Sequence, residues 1–189
     1  RAFARPAALQ YALRPAERAD HVRLLHEAQA DAGAVTQVFH LWSLDAGRPA
    51  ASQAEVFERG YFSLLALAQA LDDAGGSQRA PLALTVIADG MEDVAGTEAL
   101  SPEKATLRGL AKVLGQESPS IACRIVDVVL PAPESAAESE LARRVVEEAA
   151  ASHDEAVVAY RGPHRWTKGF GALAAGTPGV QRLRKGGVY

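Results

Sequence analysis

The sequence predicts an α/β layered fold with a mostly parallel sheet, and three observations predict it. Short apolar, β-branched segments recur along the 189 residues, at 37–42, 82–88, 122–129 and 155–161. Longer stretches with a helical period separate them, which is the connection that parallel neighbours require. One segment, Leu82-Ala83-Leu84-Thr85-Val86-Ile87-Ala88, is almost continuously apolar, as suits a strand covered on both faces.

From Arg14 to Gly33, Val22, Leu24, Leu25 and Ala28 fall near a helical period, and Gly33 suits the C-terminal stop. Gln37-Val38-Phe39-His40-Leu41-Trp42 is a strand, with the turn-rich stretch Ser43 to Pro49 at its carboxyl end. His40, between Phe39 and Leu41, points to the opposite face from both and needs a hydrogen-bond partner there. Ser52 to Asp73 is one long helix ended by Gly75-Gly76. After the strand at 82–88, Ser101-Pro102-Glu103 opens a helix that runs to about Glu117, with Ser101 as its cap and Pro102 in the first turn. Ala122 to Val129 is a strand, Glu134 to Ala151 a helix and Glu155 to Arg161 a strand, and the turn Gly162-Pro163 leads into His164-Arg165-Trp166-Thr167. The Ala/Glu/Ser-rich stretch from Pro131 to Ser139 reads as an exposed loop running into its helix.

Composition narrows the function. Twenty Lys plus Arg against 23 Asp plus Glu leave a net charge of −3, without the basic excess of a nucleic-acid-binding or membrane-surface module. No apolar run approaches the roughly 18 residues of a membrane helix. The single cysteine, Cys123, excludes an internal disulfide and a cysteine-rich zinc site, and with them favours a reducing, cytoplasmic setting. The opening Arg1-Ala2-Phe3-Ala4-Arg5-Pro6 has no secretory h-region and no initiator Met, so the chain reads as a piece of a longer protein.

Motifs that could carry chemistry meet simpler readings. Gly169-Phe170-Gly171-Ala172-Leu173-Ala174 fits G-x-G-x-x-A, but Ala175-Gly176-Thr177-Pro178-Gly179 behind it cannot sustain the helix whose N-terminus would bind pyrophosphate. Gly90 and Gly96, after the second strand, are separated by acidic residues that repel phosphate. Ser101-Pro102-Glu103-Lys104 matches S-x-x-K without the partner motifs S-D-N and K-T-G, and helix capping accounts for Ser101. Cys123, in mid-strand, reads as a small buried hydrophobe. His21, His26, His40, His153 and His164 form no metal-ligand pair. No tyrosine is followed four residues on by lysine: Tyr11 meets Pro15, Tyr61 meets Leu65 and Tyr160 meets His164. The order of strands and helices is thus that of a nucleotide-binding fold, without a cofactor loop or a proton-transfer pair.

Three stretches together resemble the structural subdomain of ketoreductase domains in type I polyketide synthases. Gln37 to Ser43 looks like that family's V-x-H-L-W-S strand. Ser101-Pro102-Glu103-Lys104-Ala105-Thr106 through Lys112-Val113-Leu114-Gly115-Gln116-Glu117 to Cys123-Arg124-Ile125-Val126-Asp127 is similar to its helix and following strand. Val158-Ala159-Tyr160-Arg161 with His164-Arg165-Trp166 resembles its ending. Arg182-Leu183-Arg184-Lys185-Gly186-Gly187-Val188-Tyr189 looks like the start of the first strand of the catalytic half.

The resemblance implies a truncated Rossmann-like three-layer fold over residues 1–189. Residues 1–14 would be a lead-in, and 180–189 would begin the link to a catalytic subdomain. It implies a scaffolding role that supports a half reducing β-ketoacyl groups on acyl carrier protein with NADPH. In such a protein every catalytic and cofactor position lies beyond Tyr189, so no catalytic, cofactor-binding or metal residue is assigned in this chain. The implied partners are the catalytic subdomain and neighbouring synthase domains, with acyl carrier protein reached indirectly, and neither nucleic acid nor membrane. Two alternatives stay open: a pseudo-ketoreductase bracing a neighbouring methyltransferase or dehydratase, and a free-standing α/β small-molecule-binding domain.

Overall fold

The structure is a computed structural model that describes residues 2–45, 52–74, 81–151, 155–172 and 186–188. Where the sequence suggests only a lead-in, it has an antiparallel hairpin of β1 (Ala4–Ala7) and β2 (Gln10–Ala12). The hairpin is tied to α1 (Arg18–Ala32) by the ion pair of Arg5 with Asp31 and by the Tyr11 hydroxyl donating to the same carboxylate. Gly33 ends α1 at φ +86°, a backbone conformation that glycine adopts without steric cost.

β3 (Gln37–Ser43) follows as expected. The long helix expected next is three pieces: α2 (Gln53–Phe57), a π-helical turn at Glu58–Phe62 and α3 (Ser63–Asp73). Ser52 caps α2, its Oγ accepting from Glu55 N at 3.2 Å. The π turn falls where the chain meets β3. A Cβ on Gly60 would stand 3.3 Å from Ser43 Oγ, and Ser63 Oγ bonds back to the carbonyls of Arg59 and Gly60. The Gly75-Gly76 stop and the turn after Ala46 lie outside the described residues.

β4 (Leu82–Asp89) leads through a loop to a 3-10 turn at Pro102–Ala105 and then α4 (Thr106–Glu117). The expected cap needs correction. Ser101 caps nothing: its N–H is drawn to the Gly90 carbonyl at 2.7 Å, and its hydroxyl turns to Glu103 Oε2 at 3.3 Å. β5 (Ile121–Val128), α5 (Ala136–Ala150) and β6 (Val157–Arg161) complete the alternation. The segment after Gly162 is a fifth strand of the sheet, β7 (His164–Thr167), hairpinned onto β6.

The sheet has the order β3-β4-β5-β6-β7, parallel through β6 with β7 antiparallel. Register pairs such as Val86↔Ile125 and Val126↔Val158 send alternate residues to opposite faces. On one face Leu84, Val86, Ile121 and Ile125 pack with Leu25 of α1, Leu64 and Leu71 of α3, and Leu107 and Leu114 of α4. On the other, Ile87, Val126, Val128, Val158 and Tyr160 pack with Leu141 and Val145 of α5. This is a three-layer α/β fold with a mostly parallel sheet.

The strands advance across the sheet in one direction, yet α3 and α4 cover one face and α5 the other. The crossover through α5 therefore has the opposite hand to the two before it, where right-handed connections are the rule. A buried carboxylate adds to the apolar packing that holds α5 in this position. Glu148, 3% exposed, receives Arg165 through two bonds (2.7 and 2.9 Å) and the Tyr160 hydroxyl (2.9 Å), with Arg124 at 3.3 Å. Arg165 beside it, against the opposing effect of burial, holds the Glu148 carboxyl below the usual range.

Candidate functional site

In open parallel sheets, ligands bind outside the carboxyl ends of the strands, in the crevice where strand order reverses. Here the described strands all step the same way, so strand order does not reverse, and the loops after β4 and β5 leave for opposite faces, toward α4 and α5. The carboxyl ends carry polar residues nonetheless: Ser43 at the end of β3 with Asp45 just beyond it, Asp89 at the end of β4, Asp127 near the end of β5 and Arg161 at the end of β6.

Lys104, from the 3-10 turn, fills the gap between the first two ends. Its side chain is 3% exposed, with Nζ 2.9 Å from Asp45 Oδ2 and hydrogen-bonded to Asp89 Oδ1. Asp45 N also donates to Asp89, at 3.3 Å to each oxygen. The remaining space beside Lys104, bounded by Ser43, Gly60 and Tyr61, is about 10 Å³, room for one water. Lys104 of the S-x-x-K match thus faces two aspartates and not Ser101.

The loop after β4 wraps around carboxylates supplied by the chain itself. Asp127, fully buried, accepts from Met91 N at 3.0 Å and Glu92 N at 3.3 Å, and pairs with an Arg161 nitrogen at 2.6 Å. Arg161 also reaches the Glu92 carbonyl at 2.8 Å and Glu98 Oε1 at 3.1 Å. Glu98 in turn accepts from the N–H groups of Val94, Ala95 and Thr97, and Asp93 accepts from Gly96 N. The Ala95 N–H chiefly, aided by Arg161, holds the Glu98 carboxyl far below the usual range. Six successive-loop amides that could have cradled an anion are committed to internal carboxylates. Gly90 makes the fold-back possible: its φ is +65°, and a Cβ there would lie 2.8 Å from the Ala99 carbonyl oxygen.

His40 finds the partner its position called for, Ser63, with Nε2 2.7 Å from Oγ. This pair is no nucleophilic dyad. Ser63 is fully buried and its hydroxyl is turned to the helix carbonyls, while burial pushes the imidazole down to about 4. Burial likewise pushes the Cys123 thiol up to about 12, away from thiolate chemistry. Gly169, Phe170 and Gly171 lie in exposed, irregular chain, and residues 173–185 behind them are outside the described set, as is His153. Among the described residues no group of three or more His, Cys, Asp or Glu side chains could hold a metal ion.

Sequence reasoning missed the two ion-pair clusters. The signal available was a charged residue closing each apolar strand, at Asp89, Asp127 and Arg161. Nothing local indicates that Lys104 would span the first gap or that Glu98 would turn back into its own loop.

A 400 Å³ groove lies on the α5 face of the sheet, walled by Phe39, Leu41 and Ile87 on one side and Leu141, Val145 and Val146 on the other. Leu41 and Val146 are more than half exposed.

No protein-family model matches the chain, and no curated protein sequence matches it. Solved structures do. A structure described as the adenylation, ketoreductase and pseudo Asub multidomain structure of a keto acid-selecting NRPS module superposes with a TM-score of 0.70 at 21% identity, over 87% of this chain and 14% of that one. An N-terminal ketoreductase from the macrolactin assembly line gives 0.66 at 12% identity, over 93% and 36%. A short chain dehydrogenase from Mycobacterium avium gives 0.59 at 13% identity, over 92% and 67%. The chain therefore spans about a seventh and about a third of the first two structures, and shares with all three a Rossmann-like fold.

Proposed function

We propose that this chain is the noncatalytic, scaffolding half of a ketoreductase of the type I polyketide synthase kind. Its partner would be a catalytic half that reduces β-ketoacyl groups on acyl carrier protein with NADPH. One observation carries this reading: the carboxyl edge of the sheet, where a nucleotide would sit, is closed by Lys104 between Asp45 and Asp89 and by Arg161 among Asp127, Glu98 and the loop amides. A dinucleotide does not fit these residues. Its phosphates would meet Asp89, Asp127 and Glu98 and find six of the amides between 91 and 97 already bonded. Such an edge binds strands to one another and supplies no acid, base or phosphate cradle.

The motif resemblance from Gln37 to Trp166 and the shared fold with ketoreductase structures support the assignment. The apolar groove walled by Leu41 and Val146 supplies a surface that a second half would cover. The site residues belong on this reading to the partner, and none to this chain.

Titrating the chain with NADPH, followed by cofactor fluorescence and calorimetry, tests the reading directly. Saturable binding should be absent up to about 1 mM, the affinity of roughly 4 kcal/mol that non-specific contacts can supply. A micromolar Kd would overturn it. A positive arm uses co-expression with a catalytic ketoreductase half: reduction of a simple β-ketothioester should need that half and should fall when Leu41→Glu and Val146→Glu are introduced here.

A further inference from the structure

Trp42 of β3 stands edge-on between two imidazoles, with ring centroids 5.9 Å from His21 of α1 and 5.8 Å from His40. Both histidines are buried. His21 Nε2 lies 2.7 Å from the Pro15 carbonyl, which can only accept, so Nε2 carries the hydrogen and Nδ1 a bare lone pair. Ser63 Oγ donates to the Arg59 carbonyl and accepts from His40 Nε2, which gives His40 the same tautomer. Both Nδ1 atoms are buried with no hydrogen-bond partner. A proton on either would bury a charge and a new N–H that has no acceptor.

The helix that carries His21 packs along α3 but buries few side chains. Its buried residues are Asp20, His21 and Leu25, so Leu25 is its single buried aliphatic anchor. The ion pair of Arg18 with Asp73 of α3 is half exposed and adds little. The β1–β2 hairpin hangs on α1 through the surface contacts of Arg5 and Tyr11 with Asp31 and of Arg23 over the Phe3 ring. The charged and titratable groups around His21 are few. Asp20, its chain neighbour, is bound by Arg14 through the main-chain N, Nε and Nη2. His40 faces it across Trp42, and α3 contributes Asp72 and the Arg18-bound Asp73 to the same seam. Burial outweighs the attraction of Asp20 and lowers the His21 imidazole below its usual 6.5.

We propose that His21 is an acid-sensitive latch: its neutral imidazole, seated against Trp42, holds α1 and the β1–β2 hairpin on the sheet, and proton uptake releases that unit while the five-stranded sheet stays folded. Released, the imidazole regains water and its ordinary basicity, so acid favours the open form.

Hydrogen exchange read by mass spectrometry on the whole chain at pH 7.5 and 5.0, corrected for intrinsic rates, tests the latch. An imidazole that titrates at 6.5 when free and stays neutral when seated makes opening up to about 30-fold more favourable over that interval. Protection of α1 should fall, by no more than that factor, with β4 and β5 more protected than α1 at both pH values. The fall should vanish in His21→Gln and persist in His40→Gln. Equal protection of α1 and β4, an α1 protection indifferent to pH, or a fall retained in His21→Gln would each overturn the proposal. If His21→Gln does not fold, the wild-type chain and His40→Gln still decide it.

Discussion

Replacing Glu148 by alanine should lower stability by about 3 kcal/mol, because it removes the carboxylate that seats α5 on its face of the sheet. The magnitude is a sum of what each partner loses. The Tyr160 hydroxyl, on a residue 8% exposed, loses its bond to Glu148 Oε2, at about 1–2 kcal/mol for a buried donor left unmade. Arg165 loses a two-bond pairing, but it is 29% exposed and keeps Glu155 at 3.5 Å, which limits its share to about 1 kcal/mol. Arg124 keeps the carbonyls of Glu148 and Ala151 and contributes least. The sum falls at the low end of what breaking a fully buried pair costs. Urea denaturation with a common m-value would read the loss directly, and in a chain of this length it corresponds to a melting point lower by about 6–12 °C. Glu148→Gln, which keeps the shape and one acceptor, should lose about half as much. A loss below about 1 kcal/mol for Glu148→Ala would refute the assignment of Glu148 as the hub, and a double-mutant cycle with Tyr160→Phe would then show where the energy resides.

Lys104→Met should cost about 2 kcal/mol, since it leaves Asp45 and Asp89 facing one another without their cation; Asp45 is 40% exposed, which keeps the figure moderate. Adding Asp89→Asn should recover part of the loss, and chemical denaturation of both variants checks this. The His40 imidazole, pushed down from 6.5 to about 4 by burial, leaves the unfolded chain binding a proton that the folded chain does not between those pH values. Stability therefore falls as pH drops through about 6.5 and levels off below about 4. Between pH 7.5 and 5 this amounts to about 2 kcal/mol, from 1.5 pH units at 1.36 kcal/mol each. His40→Gln should lose that part of the slope and keep the part due to the buried His21 imidazole, when urea midpoints are compared across the same interval.

The alternation of apolar strands with periodic helices determines the α/β class, because a strand apolar on both faces has to be covered on both and parallel neighbours need long connections. The period of two likewise sends His40 to the face where Ser63 awaits it. Local sequence says nothing of the interruption at Glu58–Phe62, because the π turn answers to the approach of Gly60 to Ser43, a contact between distant segments. The hand of the α5 crossover is equally nonlocal, resting on Leu141, Val145 and Glu148 meeting side chains from β5, β6 and β7. The closed carboxyl edge lies between these extremes. Asp89, Asp127 and Arg161 stand in the sequence as charged ends to apolar strands, and the missing glycine loop and Tyr-Lys pair are visible there too. Only the tertiary structure decides that these charges neutralise one another through Lys104 and the loop amides. Pairing energies depend on distance and burial, which the order of residues does not carry.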